Sequence, residues 1–401
     1  MKSSLRLLVL LAALLLVAGL SFAAGGGEKT AAAEKPIVFG GALPLTGWGA
    51  DAGVYNNQGY LLWEKHVNED GGILGKPVKL IIYDDQSDPT TTARLYEKLI
   101  TEDKVDVLLA PWSDDMTMPA TTVAERYGKP IVTGGATLDA IWGRGYKFVN
   151  GLLPSSYDYV GVAIRLVADR IKTVAVANGD LTYVTGFGDA AVTNIEELGL
   201  TLTTRETYAA DTTDFTAVLT KIRATNPDML VGGTGGEDAV QLIRQSKEVG
   251  LNAKAFYFTI APVDTEFARV LGKDAEYILG TSEWEPTFTH LPGFQRFYDG
   301  YMAEYGEEPV EDVATAYGVC QVLQAAVEKV GALDDAKIGE ALRTMETVTV
   351  FGTYKVDPQT GAQKGKELFV IQIQNGKRVV VWPKEDADGE LIFPAPPWNR
   401  R

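Results

Sequence analysis

Residues 68–85 read NEDGGILGKPVKLIIYDD. Apolar residues recur at helical spacing as far as Asn68, and the double glycine Gly71-Gly72 and a third, Gly75, then interrupt them. Glycine takes the positive φ that closes a helix without a Cβ clash. An alternating apolar run from Val78 to Tyr83 follows and is closed by Asp84-Asp85, as in a strand that runs into an acidic loop. Helix, tight connector and strand in this order are punctuation of an α/β sheet.

The alternation extends on both sides. The pattern predicts strands at 36–43, 78–84, 105–110 and 130–133, with helices at 55–68, 89–101 and 116–127 between them. Asp88 is placed to cap the second of these helices, and Pro89 suits its first position. The strand runs are short and β-branched, as buried parallel strands are, so right-handed βαβ units are expected. A second series follows residues 146–153, with helices at 157–170, 188–198, 215–224 and 237–249 and strands at 173–177, 201–207, 229–232 and 254–259. Its spacing repeats that of the first. Helices at 292–305, 313–330 and 337–345 have no strand between them and must cover something. Asn375-Gly376 joins 369–373 to 379–382 as a hairpin. Residues 387–401 are Pro-rich and read as peripheral.

The chain has 401 residues, more than one core usually serves, so two domains are expected. Lys2 and Arg6, the apolar run 7–20 and the small residues around Ala23 predict a cleaved secretory leader over 1–23 and an exported protein, with a tether over 24–35. Cys320 is the sole cysteine, so no internal disulfide forms. It lies in a helical pattern and reads as a buried small apolar residue. With 37 Lys and Arg against 53 Asp and Glu, the net charge is −16 and there is no basic cluster for nucleic acid.

Catalytic signals are weak. Gly47-Trp48-Gly49 and Gly53 follow the first strand, but their spacing departs from a dinucleotide fingerprint, and a tryptophan would crowd a pyrophosphate. The run 232–236 is glycine-rich without a P-loop lysine. His66 and His290 lack partners at metal-ligand spacing and read as surface or helix-face residues. No pair of carboxylates stands out. No catalytic residue, metal or cofactor is therefore expected. A binding protein fits better, with its ligand held where strand C-termini of two lobes face each other.

The stretch 68–85, preceded by Gly40-Gly41-Ala42-Leu43-Pro44-Leu45-Thr46-Gly47, resembles the type I periplasmic solute-binding proteins of the leucine/isoleucine/valine-binding group. The resemblance runs from about Pro36 to Pro383. It implies two similar doubly wound α/β lobes joined by a three-segment hinge: residues 36–153 with 283–350, and 154–282 with 351–401. It also implies a monomer that closes around a small-molecule ligand and delivers it to the membrane subunits of an ABC permease. A ligand-sensing module for a receptor or two-component system is the alternative.

The resemblance carries site residues with it. Ser113-Asp114 and Gly135-Ala136-Thr137 match the loops that hold a ligand carboxylate through hydroxyl and N–H groups. Tyr183 matches a tyrosine that closes from the second lobe, and Thr234 stands where another aromatic is usual. Two departures follow. Asp114 occupies a hydroxyl position, and Ile260, with Asp264 nearby, stands where amino-acid binders place an acid for the α-ammonium. Trp48, Trp112 and Trp142 lie in loops on the same side. These features point away from plain leucine, isoleucine or valine and toward an aromatic, amide-like or betaine-like solute.

Overall fold

The computed structural model describes residues 35–401, of which 37–401 form one compact unit. The leader and nearly all of the tether fall on residues 1–34, outside the described residues. The first half of the fold runs β1 (Ile37–Leu43), α1 (Ala50–Glu69), β2 (Val78–Asp84), α2 (Pro89–Thr101), β3 (Val107–Leu108), α3 (Asp114–Tyr127), β4 (Ile131–Thr133), α4 (Asp139–Trp142) and β5 (Val149–Gly151). β1 pairs in parallel with β2 on one side and β3 on the other, and β4 pairs in parallel with β5.

The connector at 68–85 shows why this sequence turns where it does. Gly71 and Gly72 have φ of 95° and 77°. The Gly72 N–H closes on the Val67 carbonyl at 2.8 Å. The Asn68 amide accepts from the Val78 N–H at 2.7 Å and donates to the Val78 carbonyl at 3.0 Å, so the last turn of α1 fixes the first residue of β2. β3 is shorter than the run 105–110 suggests. Its hydrogen bonding to β1 nevertheless continues on both sides, from the Asp106 N–H to the Val38 carbonyl and from the Leu109 N–H to the Gly40 carbonyl, each at 2.8 Å.

The second half runs α5 (Ser156–Val167), β6 (Thr173–Gly179), α6 (Thr182–Glu197), β7 (Thr201–Tyr208), α7 (Thr216–Thr225), β8 (Met229–Gly233), α8 (Glu237–Glu248), β9 (Ala255–Phe258), α9 (Thr265–Leu271) and β10 (Leu279–Ser282). The chain then forms α10 (Phe294–Tyr305), α11 (Glu311–Val330) and α12 (Asp335–Thr344), the short hairpin β11 (Thr347–Thr349) and β12 (Gly352–Tyr354), and finally β13 (Phe369–Gln374) and β14 (Lys377–Trp382). The second sheet has the order β14-β13-β10-β9-β8-β6-β7. It is parallel except for β13 and β14, which run antiparallel at one edge. Asn375 and Gly376 both take positive φ, as a two-residue hairpin turn of this twist requires.

The strandless helices cover the first sheet. α11 lies along α1, where the Trp63 indole N–H donates to Gln324 Oε1 at 3.1 Å and His66 Nδ1 shares a 2.9 Å hydrogen bond with the Tyr317 hydroxyl. His66 is thus a helix-face residue, one of the two placements expected for it, but a buried one, and its burial lowers its pKa. Cys320 is buried on α11. The end of the chain also differs from expectation. Trp398 packs on Phe256 at 5.1 Å and donates its indole N–H to the Leu251 carbonyl at 2.6 Å, while the Arg401 guanidinium lies 3.7 Å from the Trp398 ring. An aromatic anchor ties this proline-rich tail down.

Candidate functional site

The loops beyond β1, β3 and β4 are built on one another. Thr46 donates its N–H and hydroxyl to Asp84, and Ser87 Oγ both donates to the Thr46 carbonyl and accepts from the Gly49 N–H. This holds the loop that presents Trp48, which is 56% exposed. The Trp48 ring lies 5.7 Å from that of Trp112. Trp112 donates its indole N–H to Asp312 Oδ1 at 3.0 Å, and the Asn56 amide reaches the same oxygen at 3.2 Å. Gly135 lies flat beneath Trp112, because a Cβ there would come within 2.8 Å of the indole Cδ1 and 2.9 Å of the Trp112 Cα. The Gly135 carbonyl accepts from the Ser113 N–H at 2.9 Å. Ser113 itself takes a φ of 75°, unusual for a residue with a Cβ, and caps α3.

Asp114 determines what the neighbouring loop has to offer. Its Oδ1 accepts from the N–H groups of both Thr137 and Leu138 at 2.9 Å. The donors expected to receive a ligand carboxylate at Thr137 therefore already hold a carboxyl group of the protein. Burial pushes the Asp114 pKa up to about 7 against the pull of these two bonds. The Thr137 hydroxyl is also engaged, accepting from Ser156 Oγ at 3.1 Å. Ala136 is 1% exposed and lies in the core. Trp142 is buried against Gly151, which makes it a packing residue rather than a cleft residue.

Across from these loops, α6 begins at Thr182 rather than at the expected 188. Tyr183 thus rises from a helical first turn, with its hydroxyl 2.8 Å from where a Gly235 Cβ would stand. Its pKa is pushed up to about 12, by burial first and then by Asp238, Asp115 and Asp114. A Cβ at Gly186 would meet Leu138 Cδ1 at 2.7 Å, so α6 and the β4–α4 loop touch. Thr234 is wholly buried, bonded through its backbone to the Thr259 hydroxyl, and its own Oγ1 has no partner among the described residues. Ile260 is half-buried against the apolar cluster of the second sheet. Asp264 is exposed and caps α9. It also borders a concavity of about 320 Å³ shared with Glu285, Arg378 and Asp388.

The structure therefore brings together Trp48, Trp112, Ser113, Asp114, Gly135 and Thr137 on one side, with Tyr183 on α6, which touches Leu138 beside Thr137. It also supplies residues that the sequence did not single out: Asn56, Leu138 and above all Asp312, whose pKa burial and Glu311 raise to about 7. Asp312 comes from the start of α11, far along the chain, and nothing in its local sequence marks the contact.

Segments at strand C-termini of the two halves, touching at Leu138 and Gly186, are the arrangement of a two-lobed binder. A family model described as periplasmic binding protein matches residues 36–378. The chain belongs to that family. Within the family it is a type I protein of the leucine/isoleucine/valine-binding group. It is 28% identical over 333 residues, 82% of this chain and 88% of the relative, to the leucine-, isoleucine-, valine-, threonine- and alanine-binding protein of Pseudomonas aeruginosa. Its fold matches a leucine-binding protein from Thermotoga maritima with a TM-score of 0.74, at 24% identity over 86% of this chain and 97% of that one. It also matches a solute-binding protein of an ABC transporter from R. palustris, solved with benzoate, with a TM-score of 0.73, at 18% identity over 86% and 96%. These relatives are solute-binding proteins, not enzymes, and the family is extracytoplasmic. No helix among the described residues is long and apolar enough to cross a membrane.

Proposed function

We propose that this periplasmic binding protein is the exported, monomeric solute receptor of an ABC importer. Its leader is removed near Ala23, it captures one small molecule between its lobes, and it passes that molecule to the permease membrane subunits. The lobes are residues 36–153 with 283–350 and 154–282 with 351–401, except that the β11–β12 hairpin and the loop to Gln363 stay on the first lobe, so the crossings that form the hinge lie near 153, near 282 and, rather than at 350, between Gln363 and Phe369. Trp48, Trp112, Gly135, Thr137 and Tyr183 line the cleft. Ser113, Asp114, Ala136 and Thr234 shape it from behind, and Ile260 closes its second-lobe wall. The observation that supports this reading is the approach of Leu138, in the loop after β4, to Gly186 on α6, a contact between the two halves of the fold beside Tyr183. The names of the relatives support transport of a small solute.

The test is a thermal-shift screen of amino acids, aromatic acids, amides and alkylammonium compounds, followed by small-angle scattering of any hit. A solute at a hundredfold excess over its dissociation constant adds about 2.7 kcal/mol of stability, and hinge closure reduces the radius of gyration. A hit that is chemically converted by the protein, or that leaves the radius unchanged, would refute the proposal.

A further inference from the structure

The charge of the cleft is one-sided. The loops that leave the C-terminal ends of β1, β3, β4, β6, β8 and β9, residues 44–53, 109–119, 133–142, 178–188, 232–240 and 259–268, contain no lysine or arginine. The same loops carry nine acidic residues, among them Asp51, Asp114, Asp115, Asp238 and Asp264, and α11 adds Asp312. Two tyrosines, one on α1 and one on α6, register this field. The Tyr55 hydroxyl pKa is raised by burial and then by Glu307, Asp51, Asp312 and Asp264, and that of Tyr183 by burial and then by Asp238, Asp115 and Asp114. Two cations on the segments that return to the second sheet are held elsewhere. Lys366 donates to the Phe351 carbonyl at 2.6 Å, and Arg378 pairs with Glu285 at 3.2 Å.

A second observation is independent of charge. Trp48 and Trp112 form an open pair of indoles, the first more than half exposed. Asp312 holds the Trp112 indole N–H through Oδ1 alone, and no donor among the described residues reaches its Oδ2. A half-exposed aromatic surface beside a carboxylate oxygen without a partner suits an alkylated ammonium, which indole faces attract and which does not require a directed acceptor. A carboxylate would find no side-chain cation here, and the Thr137 and Leu138 N–H groups are already taken by Asp114.

We propose that the solute of this cleft is a small organic cation without a free carboxylate, its alkylammonium group seated on the Trp48–Trp112 pair beside Asp312. This rests on the reading that the space between the sheets is the binding site.

Calorimetry on the purified, ligand-stripped protein tests it with choline, tetramethylammonium, 3,3-dimethylbutan-1-ol (the neutral isostere of choline), glycine betaine, leucine and benzoate. Choline and tetramethylammonium should bind. The neutral isostere and glycine betaine should each bind at least about tenfold more weakly than choline. Asp312→Asn keeps an oxygen for Trp112 and Asn56 and removes only the charge. It should weaken choline by about tenfold or more, with an unchanged circular dichroism spectrum. Leucine or benzoate binding as tightly as choline, or any uncharged solute closing the protein in its place, would overturn the inference and leave the cleft as the binding site. Silence from every probe here and in the wider screen would overturn both.

Discussion

Replacing Asp114 by asparagine should stabilise the protein at pH 8 and by less than half as much at pH 5. The Asp114 carboxyl is 3% exposed, and its pKa is raised from 3.8 to about 7. A carboxyl whose folded pKa lies above its unfolded value binds its proton more tightly in the native state. Its contribution is therefore lost as the pH rises from about 4 to about 7, and stability changes no further above that. At about 1.4 kcal/mol per pH unit, the ionised group costs at most roughly 4 kcal/mol at pH 8, and local rearrangement reduces this to about 1–3 kcal/mol. Asparagine keeps the single oxygen that accepts from both Thr137 and Leu138, so it removes the charge without removing the bonds. Asp114→Ala removes both bonds and should destabilise by about 2–4 kcal/mol at pH 5 and by less at pH 8, where it also removes the buried charge. Guanidinium unfolding followed by circular dichroism at pH 5 and pH 8 measures all three proteins. If the asparagine variant lost as much stability as the alanine variant at pH 8, the charge itself would be holding the loop, and the reasoning would fail.

Other perturbations reach different parts of the fold. Gly135→Val should displace Trp112, destabilise the protein by about 1–3 kcal/mol and shift its tryptophan fluorescence; an unchanged spectrum would show that the indole is not seated on Gly135. Gly186→Phe places a ring where Leu138 now packs, so the two sheets should stand further apart and the radius of gyration by scattering should rise. Cys320, buried and with its thiol pKa raised by burial, should resist thiol reagents in the native protein and react fully in denaturant; rapid native labelling would contradict the packing of α11 on α1.

The fold was legible where local chemistry dictates it. The glycines after Asn68, the cap at Asp88 and the Asn375-Gly376 turn depend on backbone conformations that few residues supply, so sequence and structure agree at each. The start of α6 was not legible. Leu181 offers no side-chain cap, and Gly186 and Gly188 suggest a loop. Both glycines are there because Leu138 and Asn178 pack against the helix at those points, and tertiary contact outweighs propensity. The site divides in the same way. The loops at strand ends follow from the βα alternation, whereas the contact of Asp312 with Trp112 joins residues 200 positions apart and has no local signature. That Asp114 holds the Thr137 and Leu138 N–H groups could be recognised only once the loop geometry was known.

The order of the strands has a kinetic consequence. β10 finds its antiparallel neighbour in β13, nearly a hundred residues later, and the floor of the second sheet is sealed only when Trp398 reaches Phe256 and Leu251. Such distant pairings carry a large loop-closure cost and form slowly. A ribosome must therefore release nearly the whole chain before this sheet can close. Under the proposed export of the chain as an unfolded thread, that delay is useful, because the topology postpones folding until the far side of the membrane.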